Sequence, residues 1–139
     1  MLLLDTHVWL WSVNGDARRV GRRTRRLLSR AESQDAIRVS PVSLFELVAL
    51  HTLGRVRLAR SPEQWIGEAL DSSGVRVAEL SPAMAIDAGS IPRELLSDPL
   101  DRLLVATARH LEAPLLTSDA RILAFAAKTG DVRALDAAS

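Results

Sequence analysis

The sequence predicts an α/β domain built on a mainly parallel sheet, and three observations predict it. Short apolar runs alternate with helical patterns along the chain. Four helix starts are marked by a capping residue followed by proline: Ser40-Pro41, Ser61-Pro62, Ser81-Pro82 and Asp98-Pro99. Four acids, Asp5, Glu46, Asp101 and Asp119, each sit where an apolar run gives way to a helix start or an early helical turn.

The elements follow in order. Leu2 to Leu4 form a short apolar run that reads as a buried strand, closed by the capping pair Asp5-Thr6. His7 to Val13 is the first helix and ends at Asn14-Gly15. Asp16 to Glu32 is patterned as a second helix, with Val20, Thr24, Leu27, Leu28 and Ala31 on one face. Arg18, Arg22, Arg26 and Arg30 form a ridge opposite. Ala36 to Val39 is a second strand. The proline-marked starts open helices of roughly 41–52, 62–72, 82–89 and 99–112, with Gln64 as a capping-box partner for Ser61. Val75 to Leu80 alternates like a strand, and Leu115 to Thr117 is another after Ala113-Pro114. Asp119 to Lys128 is a helix stopped by Gly130, Asp131 to Leu135 is a last strand, and the tail from Ala137 is expected to fray.

At 139 residues the chain has the size of one domain, 1–139, with a substantial core. With 47% hydrophobic and 25% charged residues it has the composition of a globular protein. It contains no cysteine, which excludes disulfides, thiolate–zinc sites and cysteine nucleophiles and fits a cytoplasmic location. MLLLD has no basic segment and is not expected to be a signal peptide, and no run approaches the roughly 18 apolar residues of a membrane span.

If the strands are parallel, the four acids share the edge of the sheet where α/β ligand crevices form. Like charges there repel by about 4 kcal/mol per pair at ~4 Å and an effective dielectric of ~20, so a divalent cation or shared protons must offset them. Singly, each acid has a plainer reading. Asp5 and Asp119 are also helix N-caps. Glu46 lies in the second helical turn if Ser40 is the cap, embedded among Leu44, Phe45, Leu47 and Val48. If Ser43 is the cap instead, Glu46 closes a capping box. Asp98 is explained as the cap before Pro99, which leaves Asp101 as the functional acid, although Asp101 also suits the positive helix end.

Oxygen-only ligands without an HxxxH-type pair suit Mg²⁺ or Mn²⁺ rather than zinc. Such an ion would acidify a water and neutralise the leaving oxygen of a phosphate ester. His7, His51 and His110 are scattered, and neither a glycine-rich phosphate loop nor a GxSxG elbow is present. Seven arginines fall between Arg18 and Arg30, which read either as a phosphate-tracking patch or as a solvated or partner-binding face. Trp9, Trp11 and Trp65 stand in apolar contexts and are expected in the core or in oligomer contacts.

Four stretches, LLLDTHVWLW, SPVSLFEL, SDPLDRLLVATA and LLTSDARI, occur in order over nearly the whole chain. In them the chain resembles the PIN-domain nucleases, and within these the VapC-like toxins of toxin–antitoxin pairs. The resemblance implies a three-layer α/β/α fold with a five-stranded parallel sheet. It implies Asp5, Glu46, Asp101 and Asp119 as a metal-binding catalytic quartet, with Thr6 and Thr117 supporting it by hydrogen bonds. It also implies Mg²⁺-dependent RNA cleavage leaving 5′-phosphate and 3′-hydroxyl ends, a homodimer, and a small VapB-like antitoxin as inhibitor. One departure is visible: relatives often carry a histidine shortly before the Asp-Pro pair, where this chain has Leu96-Ser97.

The resulting expectation is a ribonuclease using one or two Mg²⁺ or Mn²⁺ ions. The alternatives are a non-catalytic RNA- or protein-binding module and a haloacid-dehalogenase-type phosphatase. The phosphatase would want a second aspartate two residues after the first, where His7 stands.

Overall fold

The structure, a computed structural model, describes residues 1–16, 18–72 and 74–139. Five strands are formed: β1 (Leu2–Leu4), β2 (Ile37–Val39), β3 (Val75–Val77), β4 (Leu115–Thr117) and β5 (Ala134–Asp136). They pair in the order β3-β2-β1-β4-β5, and every pairing is parallel. The helices between them are α1 (Thr6–Asn14), α2 (Arg22–Ser33), α3 (Pro41–Thr52), α4 (Pro62–Asp71), α5 (Pro82–Ser90), α6 (Pro99–Leu111) and α7 (Ala120–Thr129). None of the described helices is long and apolar enough to cross a membrane.

Strand alternation divides the core into two layers. Leu2, Leu4 and Leu116 pack with Trp9, Ala31 and Trp65 on one face. Leu3 and Leu115 pack with Leu104, Val105, Ile122 and Phe125 on the other. Helices α1, α2 and α4 therefore cover one face and α6 and α7 the opposite one, with α5 packed on α6. Helix α3 belongs to both: Val42 joins the second layer and Leu47 the first. The strand order reverses direction at β1, between β2 and β4, and a crevice at the carboxyl ends of the strands opens at such a switch point.

The capping arithmetic of the sequence is realised. The hydroxyls of Ser40, Ser61 and Ser81 accept from the backbone amides of Val42, Gln64 and Met84, and Asp98 accepts from Leu100. Glycines in the left-handed region end α1 and α7, at Gly15 (φ 68°) and Gly130 (φ 67°).

Four expectations are corrected. Helix α2 starts at Arg22, not at Asp16; Ala17 of the predicted start lies outside the described residues. Gly21 is the N-cap, and a Cβ there would collide with the backbone of Ala138 and Ser139. The tail is docked rather than frayed: Ala137 is fully buried, Gly21 donates to its carbonyl (2.9 Å), and Thr24 donates to that of Ser139 (3.1 Å). That docking draws β5 to Ala134–Asp136, later than predicted, while β3 stops at Val77 rather than Leu80.

Candidate active site

Asp5 stands at the carboxyl end of β1 as the N-cap of α1. Oδ1 accepts from its neighbour's amide, Thr6 N (2.7 Å), and Oδ2 accepts from the Thr117 hydroxyl at the end of β4 (2.6 Å). These two bonds fix the carboxylate across the switch point between β1 and β4. Asp5 is only 8% exposed. Burial raises its pKa above the ordinary carboxylate value, against the hydrogen bonds from Thr117 and Thr6 that pull it down.

Glu46 lies in the second turn of α3. Ser40 is the cap of that helix, so the alternative start at Ser43 does not occur. Ser43 is instead fully buried and bonded to the Thr6 hydroxyl (2.9 Å). Burial also raises the Glu46 pKa, opposed by a hydrogen bond from the Thr6 side chain and reinforced by the charge of Asp5. Thr6 thus stands between the two acids. Ser43 is the site residue that sequence reasoning missed; the only available signal was its place three residues before Glu46, which also fits a cap.

Asp101 occupies the first turn of α6, 8% exposed. Burial pushes its pKa up to about 7, followed by the charges of Asp98, Asp119, Asp5 and Glu46. Five acids therefore act on one another at the crevice. Asp98 has a visible structural duty, accepting from Leu100 N (2.8 Å). Asp119 caps α7 through Oδ1, which accepts from Arg121 N (2.8 Å) and Ile122 N (3.3 Å), and its own amide donates to Thr117 Oγ1 (3.0 Å).

Among the described residues none of these five acids forms an ion pair. Nor, among the described residues, do three of them stand close enough to grip one ion in this arrangement; local donors hold both oxygens of Asp5 and one of Asp119. The donor chemistry nevertheless fits a hard divalent cation. It is all oxygen, no ion pair offsets its charge among the described residues, and burial, with the neighbouring carboxylates second, raises three of the carboxyl pKa values.

The histidines divide. His7 is exposed beside the crevice, its ring 5.8 Å from Trp11. His110 bonds Asp87 (3.3 Å) on the surface, within an Arg109–Asp87 ion pair. Trp9 and Trp65 are core residues in edge contact at 5.0 Å, as expected, while Trp11 is half-buried. Leu96, two residues before Asp98, is buried in the second core layer.

Fold and site together define an α/β domain with a carboxylate crevice at its topological switch point. The chain belongs to the PIN domain family, whose sequence model matches residues 2–128. It is 31% identical over 121 residues to Ribonuclease VapC22 of Mycobacterium tuberculosis, covering 87% of this chain and 88% of that protein. It is thus a homologue of a VapC ribonuclease. In fold it resembles VapBC2 from Rickettsia felis bound to a promoter DNA fragment, with TM-score 0.69, 14% identity and 97% of each chain covered. It also resembles DNA-bound VapBC from Salmonella typhimurium, with TM-score 0.66 and 20% identity over 97% of this chain and 96% of that one.

Proposed function

We propose that residues 1–139 form one Mg²⁺- or Mn²⁺-dependent ribonuclease domain, the toxin of a toxin–antitoxin pair. The observation that carries this reading is the uncompensated acid crevice in a chain homologous to a VapC ribonuclease. Asp5, Glu46, Asp101 and Asp119 would hold the cation, and Asp98 serves as cap. When bound, the cation offsets the charge of the acids and the scissile phosphate and acidifies water.

The chain's own residues supply placement. Thr117 and the Thr6 amide aim the Asp5 carboxylate, and the Thr6 and Ser43 hydroxyls orient Glu46. No acid acts as the nucleophile: water attacks phosphorus in line and the bond to the 3′ oxygen breaks, leaving a 5′-phosphate. A VapB-like antitoxin is supported by the resemblance to VapBC and toxin–antitoxin complexes, and a homodimer by exposed apolar side chains such as Phe45, Leu53 and Ile86. The absence of cysteine supports a cytoplasmic location.

Structured RNA incubated with the protein and Mg²⁺, with and without EDTA, tests the reading. Cleavage that survives both chelation and Asp5→Asn would falsify it.

A further inference from the structure

The arginine helix is anchored to the rim of the acid crevice. Thr117 bonds Asp5, its carbonyl accepts from Ala137 N (2.9 Å), and the Ala137 carbonyl accepts from Gly21 N (2.9 Å). Two strand spacings, about 10 Å, separate β1 from β5, so α2 begins one short step beyond that edge. From there it descends toward the start of β2. A second link runs through α1: His7 faces Trp11, and the Arg19 guanidinium lies over the Trp11 ring at 5.3 Å.

The charge of this element is not spent internally. Arg22, Arg23, Arg25, Arg26 and Arg30 are all exposed, and none forms an ion pair among the described residues. Arg22 and Arg23 stand in the first turn, at the positive end of the helix dipole, with no acid there and no side-chain cap. That is the unfavourable placement for helix stability. Residues 18–30 carry seven positive charges and no acid; with a chain total of +1, the remainder is net −6. Successive residues of the ridge Arg22, Arg26 and Arg30 rise about 6 Å along the helix axis.

We propose that this ridge, with Arg19 and Arg23 beside it, binds the phosphates of a single RNA strand that continues into the acid crevice. The proposal takes the identity of the polyanion from the nuclease reading. A crevice bearing uncompensated carboxylates repels RNA, and a cationic strip on its rim supplies the opposing attraction. Guanidinium groups, not bases stacked on aromatic rings, do the holding along α2, because no aromatic residue interrupts residues 18–30. The surface therefore grips RNA without reading its sequence.

The test measures binding apart from cleavage. A labelled single-stranded RNA of about 20 nucleotides is titrated in EDTA by fluorescence anisotropy, over a range of KCl concentrations. Arg22→Gln/Arg23→Gln/Arg26→Gln should weaken binding on the order of 10- to 100-fold at 0.1 M salt. It should also lower the slope of log affinity against log salt by about 2, or ~0.7 per lost phosphate contact. Gln matches Arg in helix propensity, so circular dichroism and Tm should be preserved. Arg55→Gln/Arg57→Gln/Arg133→Gln removes equal charge elsewhere and should leave the slope in place. An unchanged slope in the α2 variant overturns the proposal, and does so even if EDTA-sensitive cleavage upholds the nuclease reading. Loss of binding to polyglutamate with RNA affinity retained overturns it as well, and would make α2 a surface for an acidic protein. Loss of RNA binding in a protein that cleaves nothing would support the track and sink the nuclease.

Discussion

The Thr117 hydroxyl donates to the Asp5 carboxylate at 2.6 Å, across the boundary where the sheet reverses its winding. The same oxygen accepts from the Asp119 amide, so one side chain sets the position of two site acids. Both residues are buried, and the bond is charge-assisted whenever Asp5 is ionised.

Thr117→Val keeps the shape and removes the bond. The Asp5 carboxylate loses a donor in a buried place, and the Asp119 amide loses its acceptor. A destabilisation of about 1–3 kcal/mol is expected in denaturant unfolding. Mn²⁺ affinity should fall about 10- to 100-fold in a binding titration, as for other residues that orient metal ligands. An unchanged Mn²⁺ affinity would show that Asp5 needs no such partner.

Asp101 supplies a pH signature for the metal-free protein. Its folded pKa, about 7, lies above the ordinary aspartate value of 3.8, so between these values the folded state holds more protons than the unfolded state. The sign follows: this group's contribution to stability declines as pH rises from about 4 to about 7. Asp101→Asn removes that penalty. In EDTA at pH 8 the variant should be more stable than wild type by on the order of 1–2 kcal/mol, reduced from the full linkage value by solvent in the open crevice. At pH 4 the gap should close. Added Mn²⁺ should stabilise wild type and not the variant, by about 2.7 kcal/mol at 100 times its Kd. A gap independent of pH would refute this account.

Gly21→Ala tests the anchor of the arginine helix. The φ of −69° is open to any residue, so the obstacle is purely steric: the new methyl meets the Ala138 and Ser139 backbone. Loss of about 1–3 kcal/mol is expected from overpacking. RNA affinity should fall although every arginine remains. If stability drops and RNA binding is untouched, docking of the tail has no bearing on the track.

The legible parts of this molecule were those encoded locally. Ser40-Pro41, Asp98-Pro99 and Asn14-Gly15 state helix ends within two or three residues, and the helices begin and stop there. The start of α2 was not legible, because the arginine ridge continues the helical period through Gly21. Only the tail, more than a hundred residues away, shows why the chain breaks there. The same distinction holds for the site. The acids were visible at strand ends, whereas Ser43 owes its role to Thr6, 37 residues away, and a cap reading suits it equally well in sequence.

Ser43→Ala asks whether that contact matters to Glu46. A hydroxyl has one proton. In this structure the Thr6 hydroxyl donates to Ser43 (2.9 Å), so when Thr6 turns its proton to the Glu46 carboxylate that bond must reverse, with Ser43 as donor. Ser43 would then hold the Thr6 oxygen so that its proton faces Glu46. The alanine variant should lose about 1 kcal/mol of stability and bind Mn²⁺ several-fold more weakly. In a Glu46→Gln background the same change should have no further effect on Mn²⁺ affinity, since the two residues act in series. Additive losses in the double variant would instead mean that Ser43 only fills space between α1 and α3, and the relay would have to be abandoned.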